Sequence, residues 1–435
     1  MHQTYHNYQT SNTEWLGDIP AHWEIRRMKY LFEEISIKNK PNEELLSVTQ
    51  NQGVVPRSWV ENRMVMPSGN LESFKLIHKG DFSISLRSFE GGIEYCYYTG
   101  IISPAYTVLK KKILLTDGYY KFLFKSQSFI SEIQKNTVGI RDGKNVNYTT
   151  LSYSLLPIPP LIEQQAIANF LDEQTAKIDH AISQQEQMIG LLKSYKQSLI
   201  QTVVTQGLKP NTALRPSGIE WLGDIPAHWE VRKLKYLGIV YAGMNGKKGD
   251  DFSKEYQKSM KCFIPFVDVC NNTKIAESQC QYVKISKDEN QNKVKKYDIL
   301  FLMSSETIED IAKNCIYLGN EEELYLNSFC NGFRITEVTV VPEFINYLLL
   351  SKAYRFYFSL SGRGFTRMNI KREYISNTPV LLPPLSEQRA MADFLDTKVE
   401  KIDKAIALSQ LQITQLSTYR LSLIDSAVCG KIKIV

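Results

Sequence analysis

Glu14-Trp15-Leu16-Gly17-Asp18-Ile19-Pro20-Ala21-His22-Trp23-Glu24 returns without a change as Glu220 through Glu230, an 11-residue identity at an offset of 206. The match runs on through Arg26, Lys29, Tyr30 and Leu31, which recur as Arg232, Lys235, Tyr236 and Leu237. Chance does not produce such identity, so the chain holds two copies of one unit. A second repeat lies downstream of the first. Pro159-Pro160-Leu161, Glu163-Gln164, Phe170-Leu171-Asp172 and Lys177-Ile178-Asp179 recur as Pro383-Pro384-Leu385, Glu387-Gln388, Phe394-Leu395-Asp396 and Lys401-Ile402-Asp403, at an offset of 224. Tyr195 and Ser198-Leu199-Ile200 recur at the same offset as Tyr419 and Ser422-Leu423-Ile424.

After Pro160, Gly190 is the only glycine or proline until Gly207-Leu208-Lys209-Pro210 marks a stop, which predicts one long helix. Every seventh residue gives Leu171, Ile178, Gln185, Leu192 and Leu199, flanked by Ile167, Ala181, Met188 and Tyr195. This is a heptad seam. The second copy gives Leu395, Ile402, Ser409, Leu416 and Leu423. Each seam carries one polar residue, Gln185 or Ser409, at the same place, where a buried polar group fixes register at a cost in stability. An apolar stripe alone means no more than a core-facing helix. Two matched seams in one chain are natural partners, and antiparallel packing would relate the copies by a pseudo-two-fold axis. A helix of about 45 residues would span roughly 65–70 Å.

Between the repeats lie two divergent segments, about 25–155 and 231–380, with faint but ordered echoes. Lys79-Gly80-Asp81-Phe82 corresponds to Lys296-Tyr297-Asp298-Ile299. Strand-like stretches (82–86, 106–109, 282–285, 299–303) mix with a helix-like stretch after Gly118 or Pro342, so the class expected is α+β. The expected domains are 1–155, a repeat motif with the first divergent domain; 156–208, the first long helix; 209–380, the second motif and domain; and 381–435, the second long helix. Segment 25–155 holds 18 Lys+Arg against 12 Asp+Glu, and 231–380 holds 22 against 17. The helix blocks are nearly neutral, so basic excess sits where the sequence diverges.

A nucleic-acid surface is therefore sought in the divergent segments. Each ends in a basic, glycine-containing stretch just before the Pro-Pro entry to its helix. The candidates are Arg141, Lys144, Asn145 and Asn147 in the first, and Arg363, Arg367, Asn369 and Lys371 in the second. Arg87 is a further candidate, with Ser304 at its second-copy position. Arg makes bidentate bonds to guanine and Asn to adenine in the major groove, while glycine lets backbone approach phosphate. A solvated basic loop is the plainer explanation of any one of these side chains. The four repeated tryptophans, Trp15, Trp23, Trp221 and Trp229, are expected to pack onto the domain that follows them.

The overall charge of +6 is only mildly basic and decides little. Seven cysteines without a C-x-x-C pair argue against zinc clusters and a disulfide framework. With no apolar signal core and no spanning run, a cytoplasmic location is expected. No G-x-G-x-x-G, no Asn/Asp-Pro-Pro-aromatic segment and no Walker loop appear, and the acidic run Glu321-Glu322-Glu323 reads as a solvated turn rather than a nuclease's carboxylate cluster, so no catalytic constellation is found.

The order of turn motif, divergent domain and Pro-Pro-Leu-x-Glu-Gln helix, repeated in full, resembles the specificity subunits of Type I restriction-modification systems. The resemblance rests on Trp-Leu-Gly-Asp-Ile-Pro-x-His-Trp and on the helix start through Phe-Leu-Asp, and covers essentially the whole chain. It implies two target-recognition domains of mixed α/β structure, each reading half of a split site in double-stranded DNA. They would be joined by two long antiparallel coiled-coil helices that set the spacer. It further implies that the helices dock two methyltransferase (modification) subunits, and that motor-nuclease (restriction) subunits complete the enzyme. Adenine-N6 methylation with S-adenosylmethionine, and cleavage with ATP and Mg, would belong to those partners, with no cofactor in this chain. Two rivals are a fused restriction-modification enzyme, which would need its own methyltransferase motifs, and a coiled-coil adaptor, which would not need paired basic domains.

Overall fold

A computed structural model describes the chain except for residues 1–2, 61–70, 139–144, 259, 277–280, 287, 365–366 and 435. It divides into two compact units, residues 1–186 with 410–435, and residues 187–409. Each unit takes half of each long helix, a division that the linear order of the sequence does not reveal.

In unit one, the central sheet has four antiparallel strands in the order Phe32–Ile35, Thr107–Lys111, Phe82–Ile84 and Glu94–Tyr95. Unit two repeats that order with Gly238–Ala242, Cys330–Ile335, Ile299–Leu302 and Asn314–Tyr317, then adds Lys274–Ile275 in parallel. It also carries a second sheet of four strands: Phe252–Ser253, Gln281–Lys284, Met260–Ile264 and Leu324–Leu326. The expected strands thus form, each shifted by a residue or two. The turn before the central strand is built alike in both units. Asp81 accepts from His78 N at 2.9 Å and Asp298 from Lys295 N at 2.8 Å. The residue before each aspartate has positive φ, Gly80 at 95° and Tyr297 at 71°. Only glycine adopts that region without cost. In unit two Asp298 also takes two bonds from Arg334 (2.6 and 2.9 Å) and one from Tyr241 (2.6 Å), which hold the turn in place.

Two helices cover one side of each sheet: Asp117–Leu123 and Gln127–Lys135, then Pro342–Leu350 and Lys352–Ser361. Their aromatic residues fill the core. Phe32, Phe82, Tyr120, Phe124 and Phe129 meet with ring centres 5.0–5.8 Å apart in unit one.

The long helices run Leu161–Gln206 and Leu385–Val428. Within unit one, Ile167, Leu171 and Ile178 share a core with Leu423, Ile424 and Ala427. Within unit two, Ile200, Val203 and Val204 share a core with Met391, Leu395 and Val399. Of the residues expected in the seam, Leu171, Ile178, Leu395, Ile402, Ser409 and Leu423 are buried, and Gln185, Leu192, Leu199 and Leu416 are half-buried. Of the expected flanks Ile167 is buried and Ala181 half-buried, but the other two need correcting. Met188 and Tyr195 are exposed at 49% and 56%, and the inward positions are instead Thr175, Ile182, Ile189, Lys196 and Val203, four residues after each seam residue. Positions three and four residues away both neighbour a residue on a helix, so the heptad count alone does not choose between them.

The repeated turn motif packs as expected. Its strand Glu24–Arg27 pairs with Leu155–Ile158, and Glu230–Lys233 pairs with Pro379–Leu382, so each motif closes against the segment entering its own helix. Trp15, Trp23 and Trp229 are buried, while Trp221 stacks on Tyr357 with ring centres 4.7 Å apart. Trp23 Nε1 donates to Glu163 at 2.9 Å, and Trp229 Nε1 to Glu387 at 3.1 Å. The adjacent His22 and His228 reach the other carboxylate oxygen at 2.6 and 3.0 Å. Gln164 and Gln388 face the other way. Each donates to the carbonyl of its own first proline (Pro159 or Pro383, both 2.8 Å) and accepts from the backbone N–H that opens the first sheet-covering helix, Thr116 at 2.8 Å or Val341 at 2.9 Å. The glutamate bonds explain why His-Trp and Glu recur together, since each glutamate is the partner of its own His-Trp pair.

Candidate nucleic-acid interface

In each unit the loop leaving the central strand meets a short strand of the basic stretch. In unit two Ser304–Ser305 forms an antiparallel pair with Met368–Asn369, with Ser304 opposite Asn369. Asn369 is itself bridged to Arg363, through backbone bonds of 2.9 and 3.0 Å. Arg363, Arg367 and Asn369 are therefore brought together, all exposed. In unit one the loop carries Arg87 at the start of a short helix, Ser88–Gly91, that packs against strand Asn145–Val146. That strand pairs with Thr137–Val138. Arg141 and Lys144 lie outside the described residues, as does the side chain of Asn145.

The candidates differ in how far their side chains are already committed. Asn147 caps the helix Tyr148–Leu151, its side-chain oxygen accepting from Thr149 N at 2.8 Å. Arg363 Nη1 donates to the carbonyls of Leu360 and Gly362, both at 2.8 Å, which closes the helix Lys352–Ser361. Asn369 Nδ2 donates to Arg367 O at 3.2 Å, and among the described residues its side-chain oxygen has no hydrogen-bond partner. Arg367 lies over the Phe329 ring, 5.6 Å from its centre. Lys371 opens the helix Arg372–Ser376 without a side-chain cap. Arg87 is exposed, and among the described residues its guanidinium has no hydrogen-bond or ion-pair partner.

Three other cations of the divergent segments are held internally. Arg334 is spent on Asp298, whose bonds raise its pKa. Arg355 serves the carbonyls of Glu309 (2.8 Å) and Ile311, and burial lowers it to about 10. Lys125 meets Glu94 at 2.7 Å. The cations left at the surface of the loop and hairpin are those able to meet an outside anion.

The sequence did not single out Phe329 or Glu306, which the fold places beside Arg367. Both line one pocket with Arg367, Ser304, Ser305 and Asn327. They come from loops far apart in the chain, and only the strand order brings them together. Among the described residues no group of three metal-ligating side chains is present, and no helix is long and apolar enough to cross a membrane.

The family model described as the Type I restriction modification DNA specificity domain matches residues 20–187 and again residues 226–416. The chain is 24% identical, over 366 residues, to the type I restriction enzyme MjaVIII specificity subunit of Methanocaldococcus jannaschii, covering 82% of this chain and 80% of that one. Its fold is similar to that of a chain in a structure titled for complex assembly and conformational transition of the type I R-M system. That similarity has a TM-score of 0.68 at 14% identity and covers 94% of this chain and 98% of that one. It is also similar to the HsdS subunit from Thermoanaerobacter tengcongensis, with a TM-score of 0.52 at 13% identity, covering 95% and 98%.

Proposed function

This chain belongs to the family of Type I restriction modification DNA specificity domains, which it carries in two copies, and from that premise we propose that it reads a two-part site on double-stranded DNA. Each unit reads one part. The observation that carries this reading is the shared loop-and-hairpin arrangement, with Arg87 at the surface of one unit and Arg367 and Lys371 at that of the other. Such side chains supply both phosphate attraction and base contacts. Arg141, Lys144, Asn145, Asn147, Arg363 and Asn369 complete the proposed DNA-contact set.

In this reading the chain performs no chemistry. Two modification subunits dock on the paired helices and methylate adenine N6 using S-adenosylmethionine, and motor-nuclease subunits add ATP- and Mg-dependent cleavage, all in the cytoplasm. The helices hold the two half-sites at a set spacing.

Replacing residues 25–155 with the equivalent segment of a relative tests the proposal, read out by mapping methylated adenines in a genome that expresses the chain with its modification subunit. One half of the methylated site should change while the other half and the spacer stay. A change in both halves, or in neither, would overturn the reading.

A further inference from the structure

The pocket beside Arg367 in unit two has a volume of about 450 Å³, and its charged groups are unequally committed. Asp310 accepts from Thr307 Oγ1 at 2.9 Å and lies 3.4 Å from Lys313 Nζ. Glu306 is exposed and has no hydrogen-bond or ion-pair partner among the described residues. An unpaired carboxylate on a surface that meets DNA repels phosphate, and it favours binding only where it finds a donor. In the major groove the donors are the amino groups, cytosine N4 and adenine N6.

Arg367 supplies the complementary half. Its guanidinium lies over the Phe329 ring within cation–π range, and among the described residues its N–H donors have no hydrogen-bond or ion-pair partner. Phe329 is exposed at 48%, and its turn is fixed by its own N–H donating to Asn327 Oδ1 at 2.9 Å. A fork of donors suits guanine O6 and N7, and the cytosine paired with that guanine offers N4 on the adjacent edge. With Arg367 on the purine and Glu306 on the pyrimidine, an A·T pair answers neither group in full. Adenine presents an amino donor where guanine has O6, and thymine O4 is an acceptor that a carboxylate repels.

We propose that Arg367 and Glu306 together read one G·C pair in the half-site of unit two, with Phe329 as the residue that positions Arg367. This rests on the reading that the loop-and-hairpin face of that unit meets DNA. Neither Glu306 nor Phe329 supports the core, so their substitution leaves the fold intact.

The test selects bound duplexes from a pool randomised at both half-sites, using the full chain and its Glu306→Ala, Arg367→Ala, Phe329→Ala and Phe329→Tyr variants. The parent should require G·C at one position of the half-site that changes when residues 231–380 are exchanged. Glu306→Ala and Arg367→Ala should each lower discrimination at that position about ten-fold and leave the others as they were. Phe329→Ala should weaken the same preference and Phe329→Tyr should restore it. Uniformly tighter binding by Glu306→Ala, with unchanged preferences, would show that the carboxylate only repels DNA and would overturn the proposal. So would a parent half-site lacking G·C. If exchange of 231–380 moves a half-site while these variants do not, the pocket assignment fails and the function stands; if the exchange moves nothing, the function itself fails.

Discussion

Lys196 Nζ donates to both carboxylate oxygens of Asp403, at 2.7 and 2.8 Å, within unit two. Adding 224 to 196 gives 420 and subtracting 224 from 403 gives 179, and in unit one Arg420 Nε lies 3.0 Å from Asp179. The partners have exchanged helices. An antiparallel pair of equivalent helices requires this exchange, because each residue then faces the equivalent of its own partner. Lys196 and Arg420 also occupy the inward positions four residues after Leu192 and Leu416, so their aliphatic stems cover the seam while their charges reach across it.

The seam positions give a direct contrast. Leu171→Ala in unit one and Leu395→Ala in unit two each remove a fully buried side chain, and should cost about 2–5 kcal/mol. Met188→Ala and Tyr195→Ala, exposed on the same helix, should change stability by no more than about 0.5 kcal/mol. Urea unfolding of the four variants measures this. A Met188→Ala loss equal to that of Leu171→Ala would restore the flanks expected from the heptad count.

Among the described residues Glu163 accepts from three side chains, Tyr5 at 3.0 Å as well as Trp23 and His22, whereas Glu387 accepts from two. Glu163→Ala leaves the buried Trp23 indole without an acceptor and should cost about 1–3 kcal/mol. Glu163→Gln keeps an acceptor and should cost less. Glu387→Ala should be milder than Glu163→Ala, and thermal melts of the three variants should show the largest loss for Glu163→Ala.

Glu94 is 98% buried beside Lys125, and burial raises its pKa from 4.5 to about 7, against the lowering by Lys125. The sign follows from the protons bound. Between pH 4.5 and 7 the folded state holds the proton more tightly than the unfolded state, so stability falls as pH rises through that window. The full difference is on the order of 3 kcal/mol. Glu94→Gln should therefore be nearly neutral at pH 4.5 and stabilising at pH 8. Urea midpoints across this range should rise for the variant relative to the parent, and parallel pH profiles would mean that Glu94 is ionised at little cost.

The long helices were legible because each stretch lacks helix breakers and carries an apolar period, and a single Gly190 does not end a helix of 46 residues. The antiparallel partnership was legible because the seam appears twice. Which neighbouring positions turn inward was not, since Met188 and Tyr195 offer enough apolar surface to be read as seam flanks, as Ile182 and Ile189 do. The interface was half legible. Its hairpin announces itself by glycine and basic residues close in sequence, whereas Glu306 and Phe329 join it through pairing of Ser304 with Asn369 and of Ile299–Leu302 with Cys330–Ile335. Contacts between distant loops leave no local periodicity to read.

The two ion pairs also define how the helices can be lengthened. Asp179 and Arg420 belong to unit one, and Lys196 and Asp403 to unit two, so insertions after Glu186 and after Gln410, equivalent points on the two helices, leave both pairs within their own unit. Seven residues turn a helix through nearly two whole turns, with a drift of about 20°, so a seven-residue insertion in both helices keeps the seam facing its partner. Each insertion adds roughly 10 Å at 1.5 Å per residue. At about 3.4 Å per base pair this corresponds to about three base pairs. If the helices set the spacer as proposed, the modification subunits docked on the doubly inserted chain should methylate the same two half-sites separated by about three more base pairs. Insertion in one helix alone displaces Lys196 from Asp403 or Arg420 from Asp179 and should abolish activity. Mapping methylated adenines for the parent, the two single insertions and the double insertion reads both outcomes at once. An active double insertion with an unchanged spacer would mean that the helices do not set the separation.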